Sequence, residues 1–547
     1  MHLWQTSGRS GMVFSLVLIG ASVLAVTLPG IRSTGPLYPD GMRYTFNGIM
    51  IHDMFAQGAF FHPYAYAVKF YSYYPATNLP YGPPFHALVF AAAFGLFGIS
   101  FVTARFVTVF YTLIAIMSFW YLVYRNDKST LGAFVAAEVL LLNPLVARFA
   151  RDIATELPVV FYSILTVYFF IEYVERDRRY HCLLAAVALI LGYFTKPHIF
   201  PLAMSLPVYV LVRRKFDVIR KKETIVSVIL VLALVVPYTL LSLKFFTHDL
   251  GNVHVGEVDL HLLIKYPKML MTYFPLVSLM APAGLVLGIW RRNHLAWLSL
   301  IWVVCWYLFF TFYLGHYSES RYLISILPAL VYLFSLFFQV VVEKLAGYRL
   351  HSIFAAMVLI YCVVRVVGQP VLFVRGYEQA GQYVAEHPHG ETVLYYGNYD
   401  GAFMLGVRRN ATPFQTYILR GDRVLADRLW WGELKNVNSV KDPDEIRELF
   451  QKARVGYVVI EEDMPSARSY REYVNLKKTL ATEQGPRVVH TVAVESNYGK
   501  VGPRLDIYRI ELSPAQEAGE REFTLEIPSS ALKQDIEIKI GKHRIAE

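Results

Sequence analysis

Acidic and basic side chains recur in short polar stretches between long apolar runs. The first stretch is "LYPDGMRY" at 37–44, which places Asp40, Arg43 and Tyr44 just beyond the first apolar run. A carboxylate can act as general base toward a hydroxyl within hydrogen-bond reach, and an arginine can bind a phosphate through two parallel hydrogen bonds. Asp40 could equally be a solvated loop acid or a helix N-cap, so its role depends on its neighbours in the fold.

Three later stretches have the same character. They are "RFARDIATELP" with Arg151 and Glu156, "TKPH" with Lys196 and His198, and "GHYSESRY" with His316, Glu319, Arg321 and Tyr322. Ionisable residues at membrane depth are costly and are usually functional. A plainer interpretation stays open, in which Lys196 and Arg321 extend to lipid phosphates and Glu156 pairs with Arg148 or Arg151.

The elements that must position these residues are membrane helices. Of 547 residues, 55% are hydrophobic and 17% are charged, and the mean hydropathy is +0.39. Apolar runs of about 18 residues or more can each cross the hydrocarbon layer. The net charge of +10 is not arranged as a nucleic-acid groove requires. The three cysteines fall in apolar runs and form neither a disulfide framework nor a metal-binding pattern.

The apolar runs and the basic clusters between them predict the topology. The runs lie near 11–30, 84–98, 102–124, 130–147, 156–174, 180–195, 198–212, 224–244, 270–290, 295–314, 321–343 and 351–368. Basic residues concentrate in cytoplasmic loops, and the clusters agree with one cytoplasmic side if 84–98 is interfacial or re-entrant. We therefore expect about eleven transmembrane helices (11–13), an inner N-terminus, and everything after 368 outside. The alternative for 11–30 is a cleaved signal peptide, although no convincing cleavage site follows it.

The chain changes character after residue 370. "GYEQAGQYVAEH" and "DPDEIRELFQKA" predict helices, and "TVLYY" and "VGYVVIEE" predict buried strands. "VVHTVAVE", "LDIYRIEL", "FTLEI" and "IEIKI" predict further strands. The part of this region from about 513 onward is predicted to be a separate β element. We predict a transmembrane domain over 1–370, in which 31–101 is an outer loop with interfacial helices. Residues 371–547 then form an extracytoplasmic soluble α/β domain.

The order of these motifs resembles the GT-C glycosyltransferases, in particular the group that holds the protein O-mannosyltransferases and the lipid A aminoarabinose transferase. The resemblance covers roughly residues 10–370. It rests on the acid-containing loop after the first helix, the following "RY", then "PP" and "FGLFGIS", and the late "ESRYLISILP". It implies a polytopic enzyme that takes a sugar from a polyprenyl-phosphate donor on the outer face.

The resemblance also assigns roles to individual residues. Asp40 matches the first acid of an acidic pair and is the implied catalytic base, although Gly41 replaces the second acid. Glu156 matches the acid of the second outer loop. Arg43, Lys196 and Arg321 are implied to bind the donor phosphate. Gly82 stands where some members have a lysine, so that cation is missing. The remaining candidates for substrate binding are Tyr44, Tyr322, His316 and Arg151.

The sequence therefore predicts a membrane glycosyltransferase, hexosyl or pentosyl, that transfers to a hydroxyl acceptor on a lipid, glycan or protein with inversion at the anomeric carbon. The partners are the lipid-linked donor, an unknown acceptor and the bilayer, with no nucleic acid. No cofactor is certain. His198, His316 and Glu319 leave a divalent metal ion open, but no regular ligand spacing supports one. We expect the chain in a bacterial inner membrane.

Two other functions remain open. A lipid or glycan transporter or flippase usually shows internal repeats and ionisable residues near the midplane of the membrane. Here the ionisable residues lie in outer loops and no repeat is visible. A non-catalytic envelope assembly protein would use the outer α/β domain as a binding module.

Overall fold

A computed structural model of the protein describes most of the chain. The described residues are 9–31, 33, 35–77, 82–249, 261–312, 319–346, 348, 350–426, 440–465, 467–481, 486–499, 501–511, 523–529 and 534–540. They form two compact units. The first comprises 1–31, 105–241 and 250–371, and the second comprises 32–104, 242–249 and 372–547.

Seventeen helices precede the C-terminal region in the described part of the chain. They are α1 (Arg9–Thr27), α2 (Pro39–Ala56), α3 (Pro63–Tyr73), α4 (Pro84–Phe97), α5 (Phe101–Asp127), α6 (Thr130–Leu141), α7 (Pro144–Ala150), α8 (Glu156–Arg176), α9 (Tyr180–Thr195), α10 (Phe200–Val212), α11 (Phe216–Ile219), α12 (Lys222–Asp249), α13 (Leu262–Tyr273), α14 (Pro275–Trp290), α15 (His294–Phe312), α16 (Leu327–Ala346) and α17 (His351–Val367). Short 3₁₀ turns at Pro197–Ile199 and Ser320–Ile326 precede α10 and α16.

The helices of the first unit give the chain its membrane character. Within the described part of the chain, six helices are long and apolar enough to cross a membrane, or eight if two bent pairs each count as one span. The pairs are α6 with α7, bent by 68° at Leu142–Asn143, and α13 with α14, bent by 110° at Phe274. Every predicted apolar run contains helix, which confirms the predicted helical membrane protein. The count of about eleven crossings stays a prediction, as does the interfacial placement of α4.

Glycines allow several of these helices to pack closely. A Cβ on Gly284 of α14 would lie 1.7 Å from the Leu333 carbonyl oxygen of α16. A Cβ on Gly192 of α9 would lie 2.4 Å from Ile199 and 3.0 Å from Tyr162 of α8. Small residues let helix backbones approach in membranes. The absence of a side chain at Gly192 lets the end of α9 pack against α8 and the following 3₁₀ turn. Lys196 lies between α9 and that turn, so this packing helps to position it.

A buried acid, Glu172, pairs with several basic residues that the sequence predicts to lie on the cytoplasmic side. Glu172 of α8 pairs with Arg125 at 3.0 Å and with Arg178 at 3.3 Å, and it also pairs with Arg176. Glu175 pairs with Lys215 at 3.1 Å. These pairs tie the ends of α5, α8 and α10 together, so several basic residues of the predicted cytoplasmic face have a structural role.

The C-terminal region contains a mixed sheet with helices. It consists of β1 (Val374–Arg375), α18 (Tyr377–Glu386), β2 (Thr392–Tyr396), α19 (Asp400–Asn410), β3 (Tyr417–Arg420), α20 (Gly421–Val424), α21 (Pro443–Lys452), β4 (Val455–Glu462), α22 (Arg471–Leu480), β5 (Arg487–Ala493), β6 (Glu495–Ser496), β7 (Arg504–Arg509), β8 (Phe523–Ser529) and β9 (Gln534–Ile540). The main sheet has the order β3-β2-β4-β7-β5, and β8 and β9 form a separate pair. β3, β2 and β4 are parallel, whereas β7 is antiparallel to both of its neighbours.

Local sequence patterns correctly predicted most of the long helices and strands of the C-terminal region. β2 and β4 are buried at every residue, because a parallel strand covered on both faces reads as a continuous apolar run. α21 begins with a capping box in which the Asp442 carboxylate accepts from the backbone amide of Glu445. The predicted strands, both predicted helices and the separate β element at the end are confirmed. The sequence analysis missed α19, β3 and α22, and also the short elements β1, α20 and β6.

The segment 32–104 packs against the C-terminal region inside the second unit. Arg408 of α19 donates two hydrogen bonds to the buried Asp53 of α2, at 2.9 and 2.8 Å. Tyr73, the last residue of α3, stacks on Tyr417 of β3 with ring centroids 3.9 Å apart. The C-terminal unit boundary at 371/372 nearly coincides with the predicted one at 370, but packing places 32–104 with the C-terminal region. The division into membrane and soluble domains stays a prediction.

Candidate active site

A buried ion-pair cluster in the first unit brings together three of the predicted site residues. Glu156 is the first residue of α8, Lys196 follows the last residue of α9, and Arg321 lies in the 3₁₀ turn before α16. The Lys196 Nζ lies 2.6 Å from the Glu156 Oε1, and the Arg321 Nη1 lies 4.0 Å from the same oxygen. Three segments that are distant in sequence therefore meet at one carboxylate, which we call the Glu156 cluster.

The sequence explains why each side chain reaches this point. Glu156 lies in the first turn of a helix, where the helix dipole favours a negative charge. Pro197 follows Lys196 and cannot continue α9, so the chain turns at the lysine. Arg321 also forms an ion pair with Glu319, whose Oε2 lies 2.6 Å from the arginine Nε.

Burial and charge balance determine what the Glu156 cluster can do. Glu156, Lys196 and most of Arg321 are buried, and Glu319 is partly exposed. Buried charges persist only when they are paired. Two carboxylates balance two cations, so an anionic ligand could exchange with one carboxylate as the partner of Arg321 or Lys196. Guanidinium and ammonium groups are the side chains that suit a phosphate.

Aromatic rings line the same cluster. The Tyr322 ring stacks on Phe310 with centroids 5.2 Å apart and lies 4.7 Å from the ring of His198. The Arg321 guanidinium lies 5.6 Å from the centre of the Tyr322 ring. Tyr322, a predicted substrate-binding residue, is therefore at the Glu156 cluster, and His198 is beside it.

Arg151 does not contact Glu156. Its Nε donates to the carbonyl oxygen of Val26 at 2.7 Å, and its Cβ packs where a side chain on Gly30 would have to go. Arg151 therefore connects the end of α1 to the segment after α7. The alternative that Glu156 pairs with Arg151 or Arg148 is wrong for Arg151, because Lys196 and Arg321 are the basic partners recorded for Glu156.

The remaining described candidates, Asp40, Arg43 and Tyr44, belong to the second unit. Asp40 lies in the first turn of α2, whose N-cap is Tyr38, so Asp40 is not the N-cap that the sequence left open. All three side chains are partly exposed. Tyr44 meets the ring of His86 edge-on, with centroids 6.1 Å apart. The roles of these three residues stay predictions. His316 lies outside the described residues.

Two partly buried arginines at the end of β3 and in α20, Arg420 and Arg423, are charged residues that the sequence analysis did not single out. Arg420 forms ion pairs with Asp400 at 2.9 Å and with Asp422 at 2.8 Å. Burial, together with the positive charges of Arg420 and Arg43, lowers the pKa of Arg423. The signal was the charged "RGDR" at 420–423, which begins at the last residue of β3; a strand of four residues is too short to recognise by alternation.

The described residues contain no group of three or more His, Cys, Asp or Glu side chains placed to hold a metal ion. His316, one of the three residues that raised the metal question, lies outside the described part of the chain, and Glu319 is paired with Arg321. A divalent ion therefore stays untested, and no step below depends on one.

Known proteins are similar to this chain in two ways: a family model matches part of its sequence, and solved structures match its fold. Residues 81–240 match the family model of dolichyl-phosphate-mannose-protein mannosyltransferase. The structure is similar to ArnT from Cupriavidus metallidurans bound to undecaprenyl phosphate, with a TM-score of 0.61 and 17% identity over 93% of this chain and 100% of that chain. No curated protein matches the chain.

A more distant similarity extends to another enzyme of this fold. The oligosaccharyltransferase AglB from Archaeoglobus fulgidus, in complex with an inhibitory peptide and a dolichol-phosphate, has a TM-score of 0.50 and 14% identity. The match covers 83% of this chain and 70% of that chain. The chain therefore shares the fold of these two structures, its residues 81–240 are similar to the mannosyltransferase family, and its apolar helices are those of a multi-pass membrane protein. The predicted resemblance is confirmed.

Proposed function

We propose that the protein is a membrane glycosyltransferase that moves a sugar from a polyprenyl-phosphate donor to a hydroxyl acceptor. The observation that carries this proposal is the buried Glu156 cluster, with two cations on a GT-C fold. The two similar structures contain undecaprenyl phosphate and dolichol-phosphate, which supports a donor of the same class.

Lys196 and Arg321 bind the phosphate of the donor in this proposal. The phosphate becomes the leaving group, and cations stabilise the charge that develops on it. Glu156 holds both cations in place before the donor arrives. It then positions the acceptor or assists the base. Tyr322 contributes its ring to the wall of the same site.

Asp40 is the proposed general base, and Arg43 and Tyr44 are proposed to contact the substrate. The acceptor oxygen attacks the anomeric carbon while its proton passes to the Asp40 carboxylate. The bond between the anomeric carbon and the phosphate oxygen breaks, and polyprenyl phosphate leaves with the bonding electrons. One direct displacement inverts the anomeric configuration. Gly41 follows Asp40, so this base has no adjacent second carboxylate.

The proposal includes a location. The reaction occurs on the outer face of a bacterial inner membrane, with about eleven crossings and the C-terminal domain outside. The distribution of basic residues supports this orientation. Arg151 and His316 are kept as proposed substrate-binding residues on the same side.

Transfer by purified protein tests the function. Wild type and Asp40→Asn receive polyprenyl-phosphate sugars from a bacterial membrane extract, and mass spectrometry follows the released polyprenyl phosphate. Loss of a general base costs about 10²–10⁴-fold, so we expect release to fall by at least a hundredfold in the variant. Asp444→Asn is the matched control, because Asp444 is also in the first turn of a helix and its side chain is largely exposed.

Equal release by wild type and a folded Asp40→Asn variant would contradict the role of Asp40, and Glu156 would be the next residue to test. No release by wild type with any extract, together with movement of intact lipid-linked sugar across a vesicle membrane, would support the transporter instead. Neither activity would favour the assembly protein.

A further inference from the structure

The proposed reaction leaves His198, a partly buried residue, without a role. It lies in the 3₁₀ turn Pro197–Ile199, two residues after Lys196. Both ring nitrogens are buried, and neither has a hydrogen-bond partner among the described residues. Most buried polar side-chain atoms in proteins do have a partner, so two such nitrogens on one ring call for an explanation.

The surroundings of the ring specify the kind of group that it can bind. His198 packs against both Tyr322, with centroids 4.7 Å apart, and Phe310, at 5.7 Å. Burial, and then the positive charges of Lys196 and Arg321, lower the pKa of His198 well below its usual value. The ring is therefore neutral, with one nitrogen that donates and one that accepts.

A neutral imidazole and two cations can bind different parts of a sugar phosphate. The cations suit the phosphate, whereas a group that both donates and accepts suits a hydroxyl, which does the same. The Tyr322 ring provides an apolar surface next to both. Sugar hydroxyls and a phosphate are the two polar parts of a polyprenyl-phosphate sugar, and this corner of the first unit offers a partner for each.

We propose that His198 is a substrate-binding residue whose neutral ring forms a hydrogen bond with a hydroxyl of the sugar on the lipid-linked donor. This inference rests on the proposed function, because it requires that the ligand of the Glu156 cluster carries a sugar. In this proposal His198 binds the sugar of the donor, whereas Lys196 and Arg321 bind its phosphate. His198 therefore contributes to sugar selection, and the cations contribute to recognition of the lipid phosphate.

Direct binding to the full-length protein tests this division. Two probes are used in detergent micelles: undecaprenyl phosphate, which has no sugar, and a pool of polyprenyl-phosphate sugars from a bacterial membrane extract. His198→Phe keeps a ring against Tyr322 and Phe310 but cannot form the hydrogen bond. We expect about threefold to tenfold weaker binding of the sugar-bearing lipids, as for the loss of one hydrogen bond, and unchanged binding of undecaprenyl phosphate.

Two further variants control for packing. His198→Gln keeps a donor and an acceptor, and we expect it to recover part of the lost binding. His181→Phe is the matched control, because His181 is also a buried ring in the first unit, at the other end of α9, with Phe169 5.6 Å away. We expect His181→Phe to bind both probes as wild type does.

Each remaining result supports or overturns the inference. Equal binding of the sugar-bearing lipids by wild type and His198→Phe overturns it, and so does an equal loss for both probes, which would place His198 at the phosphate or the lipid. If wild type transfers sugar normally while His198→Phe binds as wild type, only the inference fails. If no transfer occurs but binding of the sugar depends on His198, only the proposed function fails.

Discussion

Glu156 and Lys196 show at the scale of single residues how charges are retained inside a membrane protein. The Lys196 Nζ and the Glu156 Oε1 are 2.6 Å apart, and both residues are buried. Transfer of either charge from water is costly, so the pair persists because each residue compensates the other. The ammonium group of Lys196 lies against a buried carboxylate. The alternative in which Lys196 extends to the headgroup phosphates of the bilayer stays open.

The pair makes a prediction about stability. Lys196→Met leaves the Glu156 carboxylate without its nearest cation, and we expect a loss of about 3–5 kcal/mol in the free energy of unfolding. Glu156→Gln combined with Lys196→Met removes both charges and should recover most of that loss. Thermal unfolding of the purified variants in one detergent measures both effects.

Lys452→Met is the control for this comparison, because Lys452 pairs with Glu448 and both side chains are more than half exposed. A solvated pair is worth at most about 1 kcal/mol, so this variant should unfold close to wild type. If the double variant were no more stable than Lys196→Met, the account of the buried pair would be incorrect.

At the scale of elements, helix packing depends on close contacts between backbones. Such a contact joins α14 and α16 at Gly284. A Cβ on Gly284 would meet the Leu333 carbonyl oxygen at 1.7 Å, and backbone at this position cannot rotate away as a side chain can. Small residues at helix contacts are a main source of stability in membranes, where no hydrophobic effect joins two helices.

We therefore predict that Gly284→Ala forces α14 and α16 apart and destabilises the protein by about 1–3 kcal/mol or more, as overpacked cores do. Gly20→Ala in α1 is the matched control, because the nearest atom to its added Cβ is Met117 Cε at 3.9 Å. The midpoint of thermal unfolding should fall for Gly284→Ala and remain near that of wild type for Gly20→Ala. Equal midpoints would show that the helices can separate at little cost.

The sequence predicted these elements well but not their bends. Apolar runs are set by local composition, and the limits of α9 at 180–195 were predicted to the residue. The run 130–147 instead divides into α6 and α7. Pro144 follows Asn143, whose side chain caps α7 by accepting from the amide of Leu145. A hydropathy average over many residues does not detect a single helix cap. The break was therefore visible in the sequence as "NP" at 143–144 but was not predicted.

At the scale of the whole molecule, the two compact units do not follow the order of the chain. Residues 32–104 and 372–547 are far apart in sequence and belong to one unit, joined by contacts such as Asp53 with Arg408. Asp40 therefore folds together with the C-terminal region. The proposed orientation places this region outside the membrane, and that placement can be measured.

Single cysteines test the orientation. The native cysteines are all buried and should react little. Arg447→Cys lies on α21 of the C-terminal region, and Arg179→Cys lies in the exposed connection between α8 and α9, which the basic residues predict to be cytoplasmic. In spheroplasts, a maleimide that does not cross membranes should label only Arg447→Cys. Both should be labelled after permeabilisation, and the reverse pattern would contradict the proposed orientation.

The sequence by itself determined the class of fold, most helices and strands, and the residue types of the candidate site. Hydropathy, charge and capping are properties of neighbouring residues, so they can be read along the chain. Only the tertiary structure decided that Glu156, Lys196 and Arg321 meet, that Arg151 lies elsewhere, and that His198 joins the cluster. These contacts join residues up to 165 positions apart. Their formation depends on how whole helices pack, which local patterns do not specify.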